Sequence, residues 1–354
     1  MNAIAGFAAL SSAALIFGGC ALSGPLAVSN GRPTYNEVIN QTEDEQLLAM
    51  VVRQRYDETF GMLAVASVTA SLRVAASVGA NVAIGPGSSY EGNLVPLSAG
   101  IAYEENPTIS YVPLRREKFL QLMLAPISAE QALLLMRLSS RDIGVLRVLL
   151  RRANGLVNPL YSPGAGAGAF DRLLDLWTRL REAGKLDIVR SADGQFTLYL
   201  HDHTDEGSRA DVSELLRILG VGEARERAAP IALPLRFSVG AARGDGVDLE
   251  TPSALEVVDA AAQGVEVPNE HLVDGVARPP AATAPQELIE IHSAAERPDA
   301  STVAVKFKGW WFFVDERDSR SKRGFIVLRA LIGLLLDAGT SGQAVPVLTV
   351  PVSR

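Results

Sequence analysis

Two of the four histidines in this 354-residue chain, His201 and His203, flank Asp202. Residues two apart on an extended strand face the same way, so the two imidazoles could share one metal ion. Asp202, with Asp205 and Glu206 close behind, offers the carboxylate. Two histidines and a carboxylate suit a hydrolytic zinc centre, which activates a bound water. The same run also reads as a solvated turn, because it ends a hairpin strand and enters a polar loop. Only His271 and His292 remain to complete a ligand set. Other catalytic signals are thinner. Gly164, Gly166 and Gly168 precede a helical pattern, but Tyr-Ser-Pro stands before them and no Lys-Ser/Thr follows, so they read as a connector. No Gly-x-Ser-x-Gly elbow occurs.

Aromatic residues concentrate between Lys306 and Asp315. On a hairpin, Trp310 and Phe312 share one face and Trp311 and Phe313 the other. One face is core; the other is either covered by the C-terminal helix or is a binding surface carried by Trp310 and Trp311.

The single cysteine, Cys20, stands in LIFGGCALSG, residues 15–24. Residues 3–17 are almost wholly small or apolar, a length that fits the hydrophobic core of a signal peptide and is short for a membrane span. The stretch resembles the lipobox of bacterial lipoproteins. That resemblance implies cleavage between Gly19 and Cys20, a diacylglycerol thioether on Cys20, and acylation of the new amine. Each buried CH₂ contributes about 0.8 kcal/mol, so two or three chains hold a protein firmly where one does not. With Leu22 and no Asp after the cysteine, the lipobox pattern points to the outer membrane. One cysteine also excludes an intramolecular disulfide framework.

The expected organisation is a signal peptide over residues 1–19, a flexible tether over 20–33, and an α+β body over 34–354, with an internal division near 160–170. Thr34 and Glu37 read as a capping box opening a helix to about Tyr56. Residues 63–84, 99–103 and 108–113 read as strands, with a bend at Asn106-Pro107. Residues 114–156 read as helical, with a second capping box at Ser128 and Gln131 and a stop at Asn154-Gly155. Phe170, Leu173, Leu174, Trp177 and Leu180 recur at helical spacing. A hairpin around 191–194, a helix opened by Asp211, an edge strand at 234–239 and a capping box at Ser253 and Glu256 follow. Residues 275–287 read as a loop. An aromatic hairpin, a helix at 321–337 and a last strand at 345–350 complete the chain. The apolar run at 325–336 is a core helix, too short to span a bilayer.

Net charge is −7, which argues against nucleic acid as a partner. The helical and hairpin region 114–200 is locally basic: residues 114–190 hold 13 Lys/Arg against 7 Asp/Glu. Such a surface is either ordinary solvated helix faces or a contact for anionic lipid head groups or acidic envelope proteins.

Four segments, NQTEDEQLL (40–48), PTISYVPL (107–114), QGVEVP (263–268) and GWWFF (309–313), together resemble a family of uncharacterised bacterial lipoproteins of outer-membrane type. The resemblance implies a lipid-anchored, periplasm-facing envelope protein and carries no catalytic residue. The main expectation is a non-enzymatic interaction or assembly component, with no cofactor beyond the lipid on Cys20. The alternatives are an envelope hydrolase using His201, Asp202 and His203, and a lipid or glycan carrier.

Overall fold

The computed structural model describes residues 20–61, 63–80, 97–113, 116–138, 143–162, 164–201, 204–221, 230–238, 243–277, 279, 288–340 and 348–351. Their architecture is α+β, as the sequence predicts. Residues 1–41, 63–113 and 344–354 form one unit, and residues 42–62 with 114–343 a second.

Helix α1 (Cys20–Arg55) begins well before Thr34, so residues 20–33 are helical backbone where a tether was expected. A capping box is worth only about 1 kcal/mol, and it does not stop a helix from running on toward its N-terminus. Strands β1 (Leu63–Ala80) and β2 (Leu97–Pro113) then form a long antiparallel ribbon, with one irregularity between Val65 and Ser67. The bend expected at Asn106-Pro107 is absent, because Pro107 stays in register opposite Ala70. Proline is tolerated where a strand has a neighbour on one side only.

In the second unit the helical stretch is broken into α2 (Arg116–Leu124), α3 (Ala129–Leu138) and α4 (Ile143–Leu149). Pro126 makes an isolated bridge to Ser253, and the Ile127 amide donates to the Pro252 carbonyl at 2.9 Å, which pulls the chain out of helix. Ser128 and Gln131 then cap α3 reciprocally, each side chain accepting from the other's amide at 3.2 Å. Asn154-Gly155 is not a helix stop. It is the two-residue turn between β3 (Arg152–Ala153) and β4 (Leu156–Val157), with φ of 43° and 87°.

Helix α5 (Ala167–Glu182) buries Phe170, Leu173, Leu174, Trp177 and Leu180, the row its spacing predicts. Strands β5 (Leu186–Arg190) and β6 (Phe196–Leu200) make the expected hairpin. Helix α6 (Glu206–Leu219) opens ahead of Asp211 because Asp205 is its cap, accepting from the Ser208 amide at 2.8 Å. Strands β7 (Ile231–Phe237) and β8 (Val247–Glu250) complete a mixed sheet of order β4-β3-β8-β7-β6-β5. The hairpins on both sides of residues 160–170 join this one sheet, so the chain does not divide there.

β7 lies inside that sheet, not at its edge as Pro234 had implied. The parallel ladder to β8 starts at Leu235, one residue past the proline, so the missing amide costs no ladder bond. Gly246 lies close against the same place, where a Cβ would sit 2.3 Å from the Pro234 carbonyl oxygen.

Ser253 and Glu256 form the predicted capping box on α7 (Ala254–Ala262). After the short α8 (Asn269–Val273), strands β9 (His292–Ala294), β10 (Ser301–Phe307) and β11 (Trp310–Asp315) form an antiparallel sheet of order β10-β11-β9. Residues 278 and 280–287 of the expected loop lie outside the described residues. Helix α9 (Ser319–Thr340) is capped by Asp318, which accepts from the Arg320 and Ser321 amides at 2.9 and 3.1 Å. It buries Phe325, Leu328, Leu331 and Ile332, so the apolar run is a core helix. In the first unit, the last strand, β12 (Leu348–Pro351), pairs with β2 only from Tyr111 to Thr108.

Candidate functional site

His201 follows β6 directly. Its Nε2 lies 2.9 Å from the Gly184 carbonyl oxygen and 3.3 Å from Asp187 Oδ2, and its amide donates to the Lys185 carbonyl at 3.1 Å. The side chain thus clasps the turn between α5 and β5. Asp202 and His203 lie outside the described residues. Asp205 is engaged twice, as the α6 cap and as the partner of Lys185. The Lys185 ammonium and the Ser208 amide hold its carboxyl well below the usual range. Among the described residues no three His, Cys, Asp or Glu side chains converge on a metal position.

The aromatic hairpin divides as its alternation requires. Phe312 and Val314 are fully buried, while Trp310 and Trp311 are half-buried. Trp310 stacks edge-on to His271 at 6.5 Å between ring centroids, and His271 Nδ1 pairs with the Tyr56 hydroxyl at 2.7 Å. Tyr56 also meets Phe307 and Phe312 edge-on at 5.1 and 6.1 Å. Burial pushes the Tyr56 phenol up to about 12. A tyrosine–histidine couple can relay a proton, but Tyr56 is 5% exposed and His271 8%, which seals this one from substrate. Trp311, on the opposite face, carries the Arg297 guanidinium 5.2 Å from its ring centroid.

Part of the basic region's charge is paired in three dimensions. Arg172 forks onto Glu214 at 2.5 and 3.0 Å and also reaches Asp175 at 2.8 Å. Arg179 meets Asp175 and Asp211, Arg151 meets Glu250 and Glu256, and Arg147 meets Asp171. Several of these acids lie outside 114–200, so a local count could not find them. Arginines also line two hollows. One of about 240 Å³ has Arg137, Arg181 and Arg190 beside Asp187 and Phe196. Burial there lowers the Arg181 pKa. The other, about 370 Å³, has Arg147, Arg320 and Arg323 beside Val148 and Val327.

Sequence reasoning missed the polar side chains that lock the sheet. Asn154 donates to the Leu219 and Gly246 carbonyls at 2.7 and 2.9 Å and accepts from the Asp248 amide at 2.6 Å. Asn158, fully buried, donates to the Arg147 and Leu150 carbonyls. Only the Asn154-Gly155 pair gave a signal, and it indicated a turn without its partners.

The β1–β2 ribbon is different in kind. Its register sets Val68 opposite Ile109, Leu72 opposite Glu105, Val74 opposite Tyr103, Ala76 opposite Ile101 and Val78 opposite Ala99. Between these pairs fall Ser67–Ser110, Thr69–Thr108, Ser71–Asn106, Arg73–Glu104 and Ser77–Gly100. Opposed residues share a face and successive pairs alternate, so one face is a column of apolar positions interrupted by Glu105, and the other a column of small and polar ones with the Arg73–Glu104 pair among them. Among the described residues, β1 pairs with β2 alone, and β2 is doubly paired only at residues 108–111.

No protein-family model, curated protein or solved structure matches the chain.

Proposed function

We propose that the chain is a lipid-anchored outer-membrane protein that faces the periplasm and works by assembly, without catalysing a reaction. The observation that carries this reading is the two-faced β1–β2 ribbon, in which, among the described residues, β1 pairs with β2 alone and β2 has a second partner only at residues 108–111. An edge of that length is a template for another strand unless something covers it. The lipobox-like start supplies the anchor, through acyl chains on Cys20 after cleavage behind Gly19. Potential acid–base and metal-binding groups are instead used within the fold: His201 clasps a turn, Asp205 caps α6, and the Tyr56–His271 couple is buried. The arginine-lined hollows fit anionic head groups at a membrane surface. Among the described residues no helix is long and apolar enough to cross a membrane, so the anchor and the ribbon carry the membrane attachment in this reading.

The test is the intact mass of protein extracted from membranes. It should lack residues 1–19 and carry added diacylglycerol and acyl mass, and Cys20→Ala should lose both the added mass and membrane fractionation. A mature protein with an unmodified Cys20 would refute the anchor.

A further inference from the structure

We propose that the ribbon is one stave of a closed β-barrel built from several copies of this chain, the β1 edge of each copy pairing with the β2 edge of the next. The inference rests on the envelope reading above and names its partner, which is a second copy.

Three observations point to it. The first is length. Residues 72–80 of β1 oppose residues 97–105 of β2. At about 3.3 Å per residue, nine residues reach about 30 Å. Tilted by about 40°, they rise roughly 23 Å, close to the apolar band of about 25 Å that a transmembrane barrel presents.

The second is the pattern within that span. One face holds Leu72, Val74, Ala76, Val78 and Ala80 with Leu97, Ala99, Ile101 and Tyr103. The other holds Arg73, Ala75, Ser77 and Gly79 with Ser98, Gly100, Ala102 and Glu104. This is the apolar-out, polar-in alternation of a barrel wall. Tyr103 falls at the end of the band where aromatic girdles lie, and Glu105 closes it one position on the same face further.

The third is the charge on the edges. Arg73 is the only charged residue of β1, and Glu104 and Glu105 are the only ones of β2. In the register they lie at one level. Pairing β2 with a second β2 over their full length gathers four carboxylates, Glu104 and Glu105 of each copy. Pairing β1 with β2 of the next copy, staggered by about two residues as a tilted wall requires, sets Arg73 diagonal to Glu104 of that copy on the same face, within reach of a long side chain. That arrangement is head-to-tail, and head-to-tail contacts generate a ring when the rotation from copy to copy closes. Because each copy adds one strand running up and one running down, the ring is antiparallel throughout and its strand number is even, as spanning barrels require. Among the described residues β12 pairs with β2 only at residues 108–111, and no strand pairs with that edge over residues 97–107.

The experiment uses full-length protein extracted from membranes in mild detergent. The wild-type mass should be a fixed multiple of the mature chain, and purified complex should open steady conductance steps in a planar lipid bilayer. Two differently tagged variants, Ser77→Cys and Gly100→Cys, are then co-expressed; these positions oppose each other within one ribbon, so a disulfide between the two tags must join different copies. A cross-link between tags is the expected result, strongest where Ser98→Cys or Ala102→Cys replaces Gly100→Cys, as the stagger of a tilted wall requires. Arg73→Glu should reduce the complex at least tenfold, and Arg73→Glu with Glu104→Arg should restore it. A monomer in detergent, cross-links only between two Ser77→Cys chains, or a different protein in fixed ratio to the chain would each overturn the proposal. Acylated monomer refutes the barrel while sparing the anchor, and an unacylated ring does the reverse.

Discussion

The Tyr56 hydroxyl and His271 Nδ1, 2.7 Å apart, are enclosed by Phe307, Phe312 and Trp310. A buried hydrogen bond of this kind contributes about 1 kcal/mol, and removing one partner leaves the other unsatisfied at a cost of about 1–3 kcal/mol. Tyr56→Phe should therefore lower the unfolding free energy by about 1–2 kcal/mol in urea titrations at neutral pH. The phenol also gives a pH signature. It loses its proton near 10.0 when unfolded and at about 12 when folded. Between those values the unfolded state binds fewer protons, so the contribution is intact below pH 10 and is lost as pH rises toward 12. Tyr56→Phe should remove that part of the alkaline decline; an unchanged decline in the variant would show that other groups cause it.

Two glycines separate local preference from tertiary demand at the scale of elements. Gly333 lies within α9, and a Cβ added there would meet nothing within 4 Å, so Gly333→Ala should stabilise by about 0.5–1 kcal/mol through helix propensity alone. At Gly264, after α7, a Cβ would sit 1.9 Å from the Ile289 carbonyl oxygen, beside the parallel bridge of Val265 with Ile291. Gly264→Ala must displace that backbone and should cost about 1–3 kcal/mol or more. Thermal melts of the two variants should move in opposite directions. The same division governs what the sequence made legible. The capping boxes at Ser128 and Ser253, the buried row of α5 and the hairpin around residues 191–194 were readable because each is complete within a few residues. The interior place of β7 and the Glu250 and Glu214 partners of Arg151 and Arg172 depend on residues distant in sequence, so local patterns gave no access to them, whereas the Asp205 cap of α6 is local and was passed over in favour of Asp211. Of the candidate site residues, composition marked His201 and the two tryptophans, but only packing shows that His201 holds a turn and Trp310 lies against His271.

At the scale of the whole molecule, the two units solve opposite problems. In the second unit a continuous buried cluster runs from Leu47 through Trp177 to Leu331, so its sheets meet helices. The ribbon instead sorts apolar and polar positions onto separate faces along nearly its full length, which serves a sheet with different surroundings on each side. A matched pair of substitutions tests that directly. Ala75 and Ala76 are neighbours of identical type, yet Ala75 opposes Ala102 on the polar column and Ala76 opposes Ile101 on the apolar one. An arginine on the lipid face of a barrel costs about 2–4 kcal/mol near the bilayer midplane, whereas lumen positions tolerate charge. Ala76→Arg should therefore abolish recovery of the assembled form from membranes. Ala75→Arg should leave assembly intact and change ion selectivity in planar bilayers. Equal loss in both variants would mean that the faces are not distinguished by lipid and water. Loss in Ala75→Arg alone would place the polar column against a packed partner instead of a lumen.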